Sequence, residues 1–195
     1  MIRLAILGST RGTNLTALVK AIEQKELAAE IAIVLSNKAD AMILERAVSY
    51  GLSAEFVDPQ GLTREEYDSK ISAILQTKKI DLIVLLGYMR ILSDEFVATW
   101  RNKMINVHPS LLPDFAGGMD IAVHRAVLAA GMQESGCTVH YVTEEVDAGP
   151  MLVQKKCPVL ADDTPETLKA RVQALEGVAL VEAISGLAER HASEV

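Results

Sequence analysis

An α/β fold built on a mostly parallel sheet is what this sequence predicts, on three observations. Apolar strand-like runs alternate with amphipathic helical stretches along the chain. Half of the 195 residues are hydrophobic but only 4% are aromatic, the aliphatic bias of strands covered by helices on both faces. The last two apolar runs are joined by a short turn, which adds an antiparallel edge.

The elements follow in order. Residues 2–9 (IRLAILGS) form a buried strand, and Leu15, Leu18, Val19 and Ile22 then repeat at helical spacing. Residues 30–37 are a second strand, and 40–50 a helix closed by Gly51. Residues 53–58 make a short third strand. Residues 63–78 form a helix with Tyr67, Ile71, Ile74 and Leu75 on one face. The run 81–88 (DLIVLLGY) is the most apolar and belongs at the centre of the sheet. A short helix at 93–99 precedes the strand 103–108 (KMINVH), and a helix spans 121–130. Strands 136–143 and 151–159 pair through EEVDAGP. The final helix is capped by Thr164, opens on Pro165 and runs to about Arg190. With no repeats, low-complexity tracts or linkers, one domain over 1–195 is expected.

Charge and composition exclude several function classes. A net charge of −7 argues against nucleic acid, which is held by neutralising phosphates, and against an anionic membrane surface. No apolar stretch approaches the length of a membrane span, and the first residues lack a signal peptide's pattern, so a cytoplasmic protein is expected. Cys137 and Cys157 lie in apolar segments as reduced core thiols, and no His, Cys or Glu cluster has metal-ligand spacing. No metal is therefore expected.

Ligands of open α/β sheets bind beyond the carboxyl ends of the strands, so the residues that follow each strand carry the functional reading. After the first strand, GSTRGTNL (8–15) opens a helix with small residues and backbone amides. Gly12, Thr13 and Asn14 suit a single phosphate, and an ordinary tight turn is the alternative. The glycine spacing does not fit a dinucleotide fingerprint. After the central strand, Arg90 is either a surface plug or a carboxylate clamp. In INVHP, Asn106 and His108 share one face at the end of a strand. An amide there can stabilise an oxyanion, and an imidazole can carry a proton near neutral pH. Asp147, in the turn before Gly149-Pro150, could orient that imidazole or could cap its own turn. No Ser or Cys nucleophile stands in an elbow motif. The residues thus point to metal-free acyl-type transfer between a phosphate-bearing and a carboxylate-bearing substrate, by direct attack.

GSTRGTNL, LSNKADA, GYMRIL, INVHPSLLP and EEVDAGPMLVQ, in this order, resemble the folate-dependent phosphoribosylglycinamide formyltransferases, over about residues 1–185. The resemblance implies a Rossmann-like formyltransferase fold, a mixed sheet of about seven strands flanked by helices. It divides the chain into a phosphate-binding half (1–100) and a catalytic and folate half (101–195). It implies that the amine of glycinamide ribonucleotide attacks the formyl carbon of 10-formyltetrahydrofolate, in purine biosynthesis. Asn106 and protonated His108 would stabilise the oxyanion, with Asp147 supporting His108 and proton transfer. Gly12, Thr13 and Asn14 would hold the substrate phosphate, and Gln173 and Glu176 would lie near the ribose. Arg64, Met89, Arg90, Ile91 and Leu92 would line the folate side together with Asn106. Thr143, Glu144, Glu145 and Val146 would meet the pteridine. In the family the bond before Pro113 tends to be cis. A monomer or a homodimer is compatible with the family.

Three departures stand out. Thr10 and Arg11 replace a glycine and a smaller or basic residue, stiffening the loop. Thr13 replaces a serine but keeps the hydroxyl. DFAGGMDIAVHRAV (114–127) is about three residues longer than the common form, so a differently shaped flap near the site is expected. Three other readings fit the chain less well. A formyltetrahydrofolate hydrolase usually carries an extra amino-terminal domain. A methionyl-tRNA formyltransferase needs a carboxyl-terminal domain and a basic surface. A non-catalytic nucleotide-binding module has no use for Asn-x-His with a distant Asp.

Overall fold

The computed structural model describes residues 1–193. Seven strands form one sheet in the order β3-β2-β1-β4-β5-β6-β7. They are β1 (Ile2–Leu7), β2 (Ala29–Ser36), β3 (Ala54–Phe56), β4 (Leu82–Leu85), β5 (Met104–His108), β6 (Glu134–Tyr141) and β7 (Met151–Pro158). The first five are parallel, and β6 and β7 are antiparallel to their neighbours. The expected central run is indeed the middle strand, β4, and the late pair is the antiparallel edge.

Strand alternation divides the apolar side chains between two helical layers. Leu4, Ile6, Val34, Leu82 and Val84 face α1 (Leu15–Glu23), α2 (Met42–Ser49), α5 (Ile121–Ala129) and α6 (Pro165–Ser193). Ala5, Leu7, Ile33, Leu35, Ile83 and Leu85 face α3 (Arg64–Thr77) and α4 (Asp94–Thr99), where Tyr67, Ile71, Leu75, Phe96 and Trp100 cover them. Local chemistry sets the helix starts. Thr63 and Glu66 form a reciprocal capping box at α3, the Thr63 hydroxyl accepting from the Glu66 amide at 3.2 Å. At α6 the Thr164 hydroxyl accepts from the Thr167 amide at 3.2 Å, with Pro165 at the first helical position.

Some boundaries differ from the expectations. The third strand shrinks to three residues, because it is an edge that pairs on one side only. The strand expected at 136–143 is Glu134–Tyr141, since its pairing with β7 begins at Glu134 and Pro158. The last helix extends past Arg190 to Ser193.

This topology positions the site. The strand order reverses direction between β1 and β4, and the loops leaving these two adjacent strands diverge there. Next to them, β5 ends at His108, and the cis Leu112–Pro113 bond follows in the turn beyond it.

Candidate active site

Asn106 and His108 point to the same side of β5, and β6 brings a third polar side chain to them. Asn106 lies opposite His140 in the antiparallel register, and its Nδ2 is 3.3 Å from His140 Nε2. His140 Nδ1 is 2.9 Å from the Tyr141 carbonyl oxygen. A carbonyl only accepts, so that nitrogen carries the proton. In the neutral ring Nε2 is then an acceptor for the Asn106 amide. One Asn106 N–H is thereby fixed, and the other stays available to a ligand.

Asp147 closes the cluster. Its Oδ2 lies 3.2 Å from His108 Nδ1, and its Oδ1 lies 3.5 Å from His140 Nε2. The Gly117 amide donates to Oδ2 at 2.8 Å. The carboxylate is thus spent on two imidazoles and a distant amide instead of on its own turn. Asp147 adopts a left-handed backbone (φ 55°), which Asp tolerates better than most residues. Gly149 is required just beyond, since a Cβ there would sit 1.8 Å from the Tyr141 carbonyl oxygen. Burial pushes the Asp147 carboxyl up. The His140 ring, which donates from Nε2 only in its charged form, the Gly117 amide and the charged His108 ring outweigh it, holding the carboxyl below the usual range.

His108 is 3% exposed, and burial pulls its imidazole below the ordinary histidine value against the opposing pull of Asp147. Its Nε2 lies 3.1 Å from the Phe115 carbonyl oxygen. Both of its neighbours are acceptors, so only the doubly protonated ring satisfies both. The segment 114–120 therefore supplies two backbone groups to the cluster, the Phe115 carbonyl and the Gly117 amide. Asp120, at its end, pairs with Lys169 of α6. Phe115 and Asp120 both have positive φ, at 57° and 49°.

On the β1 side, Gly12 takes a left-handed turn (φ 59°), and a Cβ there would meet Ile43 at 2.2 Å. Asn14 stands at the N-cap of α1 without capping it. Its Nδ2 donates instead to Glu176 Oε2 at 2.6 Å. Glu176 is 8% exposed, and burial raises its carboxyl while the Asn14 bond pulls it down. Gln173 is half-buried one turn earlier on the same face, and Thr13 is exposed.

On the β4 side, Arg90 stacks over the Tyr67 ring, its guanidinium carbon 4.3 Å from the centroid, and its buried Nε has no partner among the described residues. Arg64 is exposed and bonded to Glu65 at 3.0 Å. Asp68 lies near both arginines. Burial raises its carboxyl, while the Ser93 amide and the two arginines oppose the shift. Met89 and Ile91 are exposed, Ile91 to 67%, and Leu92 is buried. Of the loop 143–147, Val146 is 56% exposed. Thr143 donates to the Glu145 carbonyl, Glu144 pairs with Arg101, and Glu145 is exposed. The Glu144 carboxylate is thus drawn toward Arg101.

The structure brings Asn106, His108 and Asp147 together, and joins Asn14 to Glu176 across 162 residues of chain. Sequence reasoning missed His140, Phe115, Gly117 and the Asp120–Lys169 pair. The signal for His140 was its alternation with Val139 and Tyr141, which sets the face but not the partner. Among the described residues no cluster of three or more His, Cys, Asp or Glu fits a metal ion, and no helix is long and apolar enough to cross a membrane.

A family model described as formyl transferase matches residues 2–184. The phosphoribosylglycinamide formyltransferase of Escherichia coli is 38% identical over 174 residues, covering 89% of this chain and 81% of that protein. The trifunctional purine biosynthetic protein adenosine-3 of Drosophila pseudoobscura is 44% identical over 99% of this chain, which spans only 14% of that relative's length. The crystal structure of glycinamide ribonucleotide transformylase 1 from Symbiobacterium toebii superposes with a TM-score of 0.92 at 39% identity, covering 97% of this chain and 88% of that one.

Proposed function

The chain belongs to the formyl transferase family, and on that premise we propose that it transfers the formyl group of 10-formyltetrahydrofolate to the amine of 5'-phosphoribosylglycinamide, in purine biosynthesis. The observation that carries this reading is the Asn106–His140–Asp147–His108 cluster at the end of β5, between a phosphate-type loop and an apolar, arginine-bearing segment.

The substrate amine attacks the formyl carbon, and a carbon–nitrogen bond forms. The carbonyl electrons move to oxygen, giving a tetrahedral oxyanion. In this reading the free N–H of Asn106 and the Nε2–H of His108, charged while the oxyanion lies beside it, stabilise that oxygen, and the Phe115 carbonyl that holds Nε2 in the free protein gives way to it. Asp147 favours the charged imidazole and passes the proton lost by the amine, through water, to N10 of the folate as the old carbon–nitrogen bond breaks. Formylated ribonucleotide and tetrahydrofolate leave.

Gly12, Thr13 and Asn14 hold the phosphate through loop amides and the N-terminus of α1, and Glu176 and Gln173 meet the ribose. Arg90, with its unpaired Nε, and Arg64 receive the carboxylates of the folate tail. Met89, Ile91, Leu92 and Val146 offer apolar surface to its rings, beside Thr143, Glu144 and Glu145. The protein is read as one formyltransferase domain acting on small molecules in the cytoplasm, without metal, as a monomer or homodimer. The test is turnover of Asn106→Ala and His108→Ala at saturating substrates. Losses of ~10²-fold or more with intact binding support the assignment, and near-normal rates overturn it.

A further inference from the structure

Ser9 lies between the two substrate loops and bonds to both sides. It is 2% exposed and belongs to no part of the catalytic cluster. Its hydroxyl donates to Asn37 Oδ1 at 2.5 Å and accepts from the Met89 amide at 2.8 Å. Its own amide donates to the Gly87 carbonyl at 3.1 Å. The next residue, Thr10, packs on the same strand exit, where a Cβ on Gly87 would lie 2.5 Å from its hydroxyl. A Cβ on Gly8 would lie 2.9 Å from the Leu86 carbonyl. The exits of β1, β2 and β4 are therefore stitched together through one side chain, with glycines clearing the space around it.

Geometry gives this a consequence for catalysis. The residues after Ser9 form the loop proposed for the ribonucleotide phosphate, and those after Gly87 form the segment proposed for the folate. A two-substrate transfer depends on holding the amine and the formyl carbon at contact distance, and a misplacement of about 1 Å costs on the order of 10²-fold in rate. We propose that Ser9 is a positioning residue that fixes the phosphate loop against Met89–Leu92, and so sets the distance between the two bound substrates. Asn37 anchors it by accepting its hydrogen bond, which leaves the hydroxyl oxygen's lone pairs for the Met89 amide. The inference rests on the function proposed above and adds a residue that touches neither substrate.

The test compares Ser9→Ala, Asn37→Ala and Asn37→Asp, the last of which keeps an acceptor for the hydroxyl. At saturating substrates, well below the melting temperature, Ser9→Ala should lower kcat by roughly 10- to 100-fold while each KM moves less than about threefold. Asn37→Asp should stay near wild type, and Asn37→Ala should resemble Ser9→Ala. The double Ser9→Ala/Asn37→Ala variant should be no worse than Ser9→Ala, because one interaction is lost once. A kcat within twofold of wild type with only a lowered melting temperature would make Ser9 merely structural and overturn the proposal. So would a raised ribonucleotide KM with unchanged kcat, which would confine Ser9 to the phosphate loop. Absence of transfer by the wild type itself would refute the function, not the coupling. The coupling is then read from amide exchange of residues 87–92 with inorganic phosphate as probe. Phosphate should slow exchange in the wild type and not in Ser9→Ala, and equal slowing in both would sink it.

Discussion

His140 faces Asn106 across the β5–β6 ladder, and its ring nitrogen meets the Asn106 amide at 3.3 Å while Asp147 lies 3.5 Å from the same nitrogen. The amide proposed to bind the oxyanion is thus oriented by an imidazole whose tautomer is set by the Tyr141 carbonyl. His140→Ala should lower kcat roughly tenfold, less than the ~10²–10³ expected for loss of an oxyanion donor itself. His140→Gln, which can still accept from Asn106, should recover part of the loss. Steady-state kinetics at saturating substrates checks both.

Asp147 raises the His108 imidazole against the larger effect of burial. Asp147→Asn removes that charge, so the ring should titrate at lower pH than in the wild type. Ring resonances of His108 followed across pH measure this directly. Turnover at neutral pH should fall by ~10²-fold or more, because the variant weakens the proposed charged donor and blocks the proposed proton path.

The ribonucleotide side should respond in binding. Glu176→Ala removes a buried carboxylate bonded to Asn14 at 2.6 Å. KM for the ribonucleotide should rise about tenfold or more, given ~1.5–3 kcal/mol for a hydrogen bond to a charged group, with the folate KM little changed. A change confined to the folate KM would remove Glu176 from the ribose.

Stability should carry a signature of His124. This residue of α5 is 1% exposed, and burial, with the Lys169 charge, pushes its imidazole down to about 4. In the unfolded chain it titrates near 6.5, so between pH 6.5 and about 4 the unfolded state binds more protons. Stability is therefore lost as pH falls through that window, by up to ~3 kcal/mol from this group. In His124→Gln the denaturation midpoint should depend less on pH there. An unchanged slope would contradict the burial argument.

Much of the fold was legible because buried parallel strands read as unbroken aliphatic runs and helices by their spacing. Tyr67, Ile71 and Leu75 lie buried on one face of α3, as that spacing requires. The short third strand was overextended because edge pairing depends on a neighbour that local sequence does not describe. Asn106, His108 and Asp147 stood out by residue type at strand and turn ends. His140 did not, because its role depends on the antiparallel register that sets it opposite Asn106. The Phe115 carbonyl and Gly117 amide were invisible for a different reason: they act through backbone atoms, which every residue carries. Ser9 was hidden because its partners, Asn37 and Met89, come from two other strand exits.

The most direct measurement is loss of the formyl group from 10-formyltetrahydrofolate with and without 5'-phosphoribosylglycinamide. Loss is expected only when the ribonucleotide is present, with one formylated product for each folate released. Loss at a similar rate without it would make water the acceptor and rule out transfer to the ribonucleotide as the reaction.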